Sequence, residues 1–145
     1  MNTPKHERGF SLMEALVGIF LIGVAVIGLA QVFLVAVSNN LRADRIANAT
    51  FLAQQQIDWL RGFTLDELTA YAGTTLESRD ETMDLNVDGK SDYRRVTLFT
   101  EDQDTFRVQI LVYSAENVNV VGSGTLIGDM GRYRPRAMIS TLITR

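Results

Sequence analysis

From Ala15 to Ser38 the chain runs apolar without a single charged side chain, and beyond it apolar residues return at steps of three and four. The run is about 24 residues, roughly 36 Å of helix at about 1.5 Å per residue, enough to cross a hydrocarbon core of about 30 Å. It contains Gly18, Gly23 and Gly28 but no proline, and an uninterrupted helix is the simplest way to satisfy its backbone polar groups in lipid. Past the run, Ile46, Ala49, Ala53, Ile57 and Leu60 mark one face, while Arg42, Asp44, Arg45, Asn48, Gln54, Gln55, Asp58 and Arg61 fill the others. The spacing predicts one helix from about Ser11 to Arg61 with Gly62 as its C-cap. Its first half is apolar all round and its second half amphipathic, so the second half is expected to pack on a domain. Trp59 reads as a packing residue on that half.

The period then changes. Thr64 and Glu67 form a capping box ahead of Leu68 and Tyr71, predicting a short helix. Residues 73–92 are polar and read as a surface connection. Tyr93 to Thr100 and Thr105 to Ser114 are rich in Val, Ile, Phe, Tyr and Thr, with Glu101-Asp102-Gln103-Asp104 as a turn between them. Phe106, Val108, Ile110 and Val112 alternate with Arg107, Gln109, Leu111 and Tyr113, giving one apolar face. Arg136 to Thr144 predicts a further strand and Asn117 to Val121 a short one. The expected fold class is α+β: a long N-terminal helix, membrane-spanning over about residues 15–38, packed on a small antiparallel sheet within residues 62–145.

Composition removes several functions. There is no cysteine, which excludes a thiol nucleophile and a cysteine metal site, and the one histidine, His6, precedes the apolar run. A Ser-His-Asp constellation is therefore not available downstream of it. The formal charge is −3, so a general attraction to nucleic acid is not expected. Lys5 and Arg8 before the run are balanced by Arg42 and Arg45 after it, which leaves orientation open by flanking charge. A conventional secretory signal would be cleaved behind a shorter apolar region, whereas this run continues into a helical pattern.

The junction itself carries the most chemistry. Arg8-Gly9-Phe10-Ser11-Leu12-Met13-Glu14 places a basic leader, a Gly-Phe step and one acid directly before the apolar run. Ser11 to Glu14 fits an S-x-x-E capping box, and an acid in a first helical turn is favoured by the helix dipole. A carboxylate held near hydrocarbon is also costly without a partner, which marks Glu14 as a functional candidate.

This junction resembles the class III processing signal of type IV pilins and their relatives. The resemblance implies a prepilin leader of residues 1–9, removed by a prepilin peptidase between Gly9 and Phe10, with N-methylation of Phe10. Loss of Lys5, Glu7 and Arg8 moves the formal side-chain balance from −3 to −4. It implies a pilin-like fold with a spine helix over residues 10–61. It also implies that Glu14 meets the N-terminal amine of a neighbouring subunit during assembly. The implied partners are other major and minor pilins, an inner-membrane assembly platform and membrane lipid. The implied location is the inner membrane, single-pass with the C-terminal domain outside the cytoplasm, and then a pilus or pseudopilus. The length, Gln31 where major pilins usually carry a proline, and Gln54-Gln55-Gln56-Ile57 followed by strands are most similar to PilV-type minor pilins, with I-type pseudopilins of type II secretion close behind. Many pilins carry a disulfide, and this chain departs from them in having no cysteine. The contrasting expectation is a binding module permanently anchored by one helix, with the leader retained.

Two smaller features complete the reading. Asp84-Leu85-Asn86-Val87-Asp88-Gly89 matches the first half of a calcium loop, with Asp92 as a further oxygen donor, but Arg95 stands where an EF-hand needs its bidentate Glu. The plainer expectation is an Asp-Gly turn, and no other cofactor is expected. Arg132, Arg134 and Arg136 would share one side of an extended segment, either contacting phosphate or, with Pro135, protecting a sheet edge. Gly122-Ser123-Gly124 has Ile127 in place of a third glycine and makes no dinucleotide fingerprint.

Overall fold

The computed structural model describes residues 11–73, 78–102, 105–119 and 122–144. Helix α1 runs from Leu12 to Arg61, 50 residues without interruption. It is followed by helix α2 (Leu65–Ala72), strands β1 (Arg79–Met83), β2 (Tyr93–Asp102) and β3 (Thr105–Ser114), the short helix α3 (Ser123–Gly128) and strand β4 (Ala137–Thr144). The four strands form one sheet in the order β1-β2-β3-β4. Every neighbouring pair is antiparallel, with Val96 opposite Leu111 and Val112 opposite Ala137. This is an α+β, pilin-like layout.

The chain divides into two compact units at Leu41. In the second unit, α1 buries Ala49, Leu52, Ala53, Gln56, Ile57 and Leu60. These positions form a helical stripe that meets Val108, Ile110 and Val112 of β3, Phe99 of β2, and Leu68 and Ala72 of α2. Each fully buried Leu or Val side chain contributes about 1.5–3 kcal/mol relative to exposure, so this contact is the main support of the domain. Ile46, expected on the buried face, is instead exposed, and Leu52 and Gln56 extend the stripe.

A second cluster lies on the opposite face of the sheet: Val96, Leu111 and Tyr113 pack with Leu126 of α3. The alternation in β3 therefore ends at Ile110, and the strand is buried on both faces from there to Ser114. The expected polar face carried Leu111 and Tyr113 because a chain segment returns over it.

Local chemistry explains the boundaries. At the end of α1, Gly62 and Phe63 donate backbone hydrogen bonds to Trp59 and Leu60 at 3.1 Å each. A Cβ on Gly62 would sit 3.3 Å from the Trp59 carbonyl oxygen, so glycine there serves a close approach. The capping box of α2 is formed: Thr64 N donates to Glu67 Oε2 at 2.7 Å, and Glu67 N to Thr64 Oγ1 at 3.4 Å. These bonds hold the Glu67 carboxyl below its ordinary range, the backbone N–H of Thr64 being the larger cause.

Three expectations are corrected. The polar stretch after Gly73 contains a strand, β1, whose sequence Arg-Asp-Glu-Thr-Met carries no apolar alternation. Glu101 and Asp102 extend β2 rather than forming the turn, and residues 103–104 lie outside the described set. No strand forms at Asn117: Ala115–Asn117 is a single 3-10 turn, Val118 and Asn119 continue as turn, and Val120 and Val121 lie outside the described residues.

Candidate functional site: an exposed apolar helix with one acid

Residues 12–41 of α1 present apolar side chains on every side. Leu16, Val17, Ile19, Phe20, Leu21 and Ile22 are all exposed, Phe20 by 66% and Phe33 by 68%. None of the most apolar stretch of this helix is buried within the chain. A helix apolar all round requires a surrounding of lipid or other protein. By length and composition it is long enough to cross a membrane, the one such helix among the described residues.

Glu14 sits in the first turn of this surface and is exposed. The backbone N–H groups of Glu14 and Ala15 both donate to the carbonyl of Ser11, at 2.9 and 3.1 Å. The carbonyl of Ser11, not its hydroxyl, closes the turn, so the capping box read at Ser11–Glu14 is not formed among the described residues. The Glu14 carboxylate has no hydrogen-bond or ion-pair partner among them either. Gly9 and Phe10, the expected processing step, lie outside the described residues.

The half calcium motif folds into a tight loop between β1 and β2. Asp84 accepts from the backbone of Asp88 at 3.3 Å and of Gly89 at 2.8 Å. Asn86 accepts from Asp88 N at 3.2 Å, Asp88 from Lys90 N at 2.8 Å, and Asp92 from Leu85 N at 3.0 Å. Gly89 has a φ of 83°, as an Asp-Gly turn requires, and Val87 a φ of 58°. Asp84, Asn86, Asp88 and Asp92 thus each have a side-chain oxygen accepting from the backbone of their own loop. Among the described residues, no group of three or more His, Cys, Asp or Glu is placed to hold a metal ion.

The arginine stripe is not extended. Arg132 N and Tyr133 N both bond to the Asp129 carbonyl, at 3.1 and 2.9 Å, forming a turn that ends before β4 begins at Ala137. The Arg132 guanidinium lies over the Tyr133 ring at 5.5 Å from its centroid, inside the reach of about 6 Å of a cation–π contact. Arg136 reaches Glu116 at 3.5 Å. The three arginines therefore do not share one side of a strand, and only Arg136 lies next to the sheet.

Sequence reasoning missed a pair of buried charges. Arg94 and Arg95 are neighbours on β2, so their side chains leave opposite faces of the sheet. Arg94 is paired with Asp80, the Nε–Oδ1 distance being 2.7 Å, and Arg95 with Glu81. Arg95 also reaches the Leu52 carbonyl of α1 at 3.3 Å, and Arg94 the Val118 carbonyl at 3.2 Å. The Asp80 hydrogen bond raises the Arg94 pKa against the opposing effect of burial. The signal in the sequence was the charge complement of Asp80-Glu81 and Arg94-Arg95, which registers a strand that hydrophobicity cannot reveal.

With this geometry established, comparison with known proteins adds one finding. Residues 4–30 match the family model of the prokaryotic N-terminal methylation motif. The chain carries a class III prepilin signal, and signal and layout together support a type IV pilin-like protein. No curated protein and no solved structure matches. Such a signal implies processing by a prepilin peptidase and assembly with other pilins, and with the apolar helix it fits an inner-membrane anchored, structural subunit.

Proposed function

We propose that the chain is a minor type IV pilin of the PilV type, a structural subunit without catalytic activity. It is stored in the inner membrane by residues 15–38, with the C-terminal domain outside the cytoplasm. A prepilin peptidase cuts between Gly9 and Phe10 and methylates Phe10, and the subunit then joins, or primes, a pilus filament. The observation that carries the reading is the continuity of the methylation motif at residues 4–30 with a helix whose apolar surface the chain itself leaves uncovered. Lipid covers that surface before assembly and the helices of other subunits cover it afterwards. Glu14 supplies the register: an acid at hydrocarbon depth needs a cationic partner, and cleavage creates one in the ammonium of Phe10 on a neighbouring subunit.

N-terminal mass analysis of the protein taken from its native membrane tests this. The expected product begins at a methylated Phe10, and an intact Met1 would sink the proposal in favour of a permanent anchor. Co-purification with other small prepilins and a retraction motor is expected. A secretin for enzyme export in place of the motor would move the assignment to a type II pseudopilin.

A further inference from the structure

A cleft of about 370 Å³ lies among α1, α2, β1 and β2, lined by Gln55, Gln56, Trp59, Tyr71, Glu81 and Arg95. All of them belong to the unit of residues 42–145. Trp59 supplies a flat aromatic wall: its ring meets Phe63 edge to face at 4.4 Å and Tyr71 at 5.1 Å, while the residue is still 48% exposed. Part of the indole therefore stays open to a ligand.

The polar members of the wall are unevenly served. Gln56 is 4% exposed and Arg95 is buried as well, yet Gln56 Nε2 and Arg95 Nε have no hydrogen-bond partner among the described residues. A buried donor without an acceptor costs free energy, and native folds leave few of them. With nothing bonded to its nitrogen, the Gln56 amide is free to turn about its terminal torsion, whose energy well is broad. The remainder of the Arg95 guanidinium is engaged by Glu81 and by the Leu52 carbonyl. Glu81 meets it through Oε2, and Glu81 Oε1 has no partner among the described residues. The cleft thus holds unused donors, an unused acceptor and an aromatic face.

This combination narrows the ligand by elimination. Arg95 and Glu81 are the charged side chains of the lining and neutralise each other, so no net charge selects an ion. Nearby charges are also matched: Arg79 donates to the Tyr71 carbonyl at 2.7 Å, and Asp58 pairs with Arg61 at 3.8 Å. A hydrocarbon would cover the donors without satisfying them, at a cost. A pyranose ring answers each feature. Its hydroxyls accept from Gln56 and Arg95 and donate to Glu81, while the weakly positive C–H bonds of one face lie against the negative face of the indole. The volume falls within the range of about 300–1,000 Å³ of small-ligand sites. We infer that this cleft binds a neutral saccharide unit of a glycan. The inference is independent of leader processing and of filament assembly, since every residue in it lies within residues 42–145.

Trp59 is the one tryptophan of the chain, so its fluorescence reports on the cleft directly. The test uses the full chain in alkylphosphocholine micelles, whose headgroup carries no sugar, titrated with cellobiose, maltose and N,N′-diacetylchitobiose. At least one of these is expected to shift the Trp59 emission saturably, and equally so at about 1 M salt, where the Debye length is about 3 Å. Gln56→Leu should weaken that binding by about tenfold while the thermal midpoint stays level or rises, because an apolar group of similar shape replaces an unpartnered donor. Absence of a saturable shift with all three sugars would overturn the proposal, as would undiminished affinity in Gln56→Leu. A clear fall of the midpoint in that variant would show that the amide already serves the fold, and would overturn it too. The same shift produced by sodium acetate or inorganic phosphate would make the cleft an anion site, and by toluene an apolar one, in either case against a saccharide.

Discussion

Arg94 and Arg95 show how much one dipeptide can decide. Their side chains are 7% and 10% exposed, and each is compensated by an acid of β1 rather than by water. Breaking such a pair leaves a charge without its partner, a larger cost than the pair's net contribution. Arg94→Met is expected to lower stability by about 2–4 kcal/mol, because Asp80 remains partly shielded and uncompensated. Urea unfolding of the full chain in detergent measures it, and a loss under about 0.5 kcal/mol, the range of ordinary surface changes, would show that Asp80 is already solvated. Val87 is the opposite kind of residue: it is 88% exposed, β-branched, and held at a φ of 58°. Nothing packs on its side chain to offset the strain of that conformation, so Val87→Gly should raise stability by about 1 kcal/mol, read from the same unfolding midpoint.

The elements differ in how plainly the sequence announces them. α1 is announced by a period of 3.6 and by the absence of proline, and α2 by a capping box whose four residues act locally. Thr64→Ala is expected to cost about 1 kcal/mol at neutral pH by removing the cap. The cap should also respond to acid. The Glu67 carboxyl is lowered by the Thr64 backbone N–H and then by its hydroxyl, so its contribution is present above the ordinary carboxylate pKa and is lost as pH falls through the lowered folded value. The stability gap between wild type and Thr64→Ala should therefore narrow as pH falls below about 4, and a gap constant down to about pH 2 would mean that the hydroxyl alone makes the cap. β1 was not legible, since a strand with charged residues on both faces has no hydrophobic period; its place is set by Arg94 and Arg95, fourteen residues further along the chain. The arginine turn departs from the expected extended segment for a related reason. Alternation of Arg132, Arg134 and Arg136 implies one face only if the backbone is extended, and the Asp129 carbonyl bends it instead.

At the scale of the molecule, two units face two surroundings. Residues 42–145 bury their own core, whereas residues 12–41 expose theirs to whatever surrounds them. Under the pilin reading, Glu14→Ala is expected to reduce filament incorporation at least tenfold while leaving the thermal midpoint of the globular unit unchanged, because Glu14 belongs to the other unit. Shearing and quantifying filament-associated subunit measures the first, and incorporation at the wild-type level would remove the charge-pair role. The sequence by itself determined the membrane-length helix, the prepilin junction, the amphipathic continuation of the spine and the strands β2, β3 and β4. Those follow from local periods and near-neighbour chemistry, which act along the chain. Only the tertiary structure decided that β1 joins the sheet through two buried ion pairs, that α3 covers a second face, and that Gln56 and Trp59 meet Glu81 and Arg95 around one cleft. Each of these depends on residues brought together from distant parts of the sequence, where complementary charge and shape, rather than period, determine what meets.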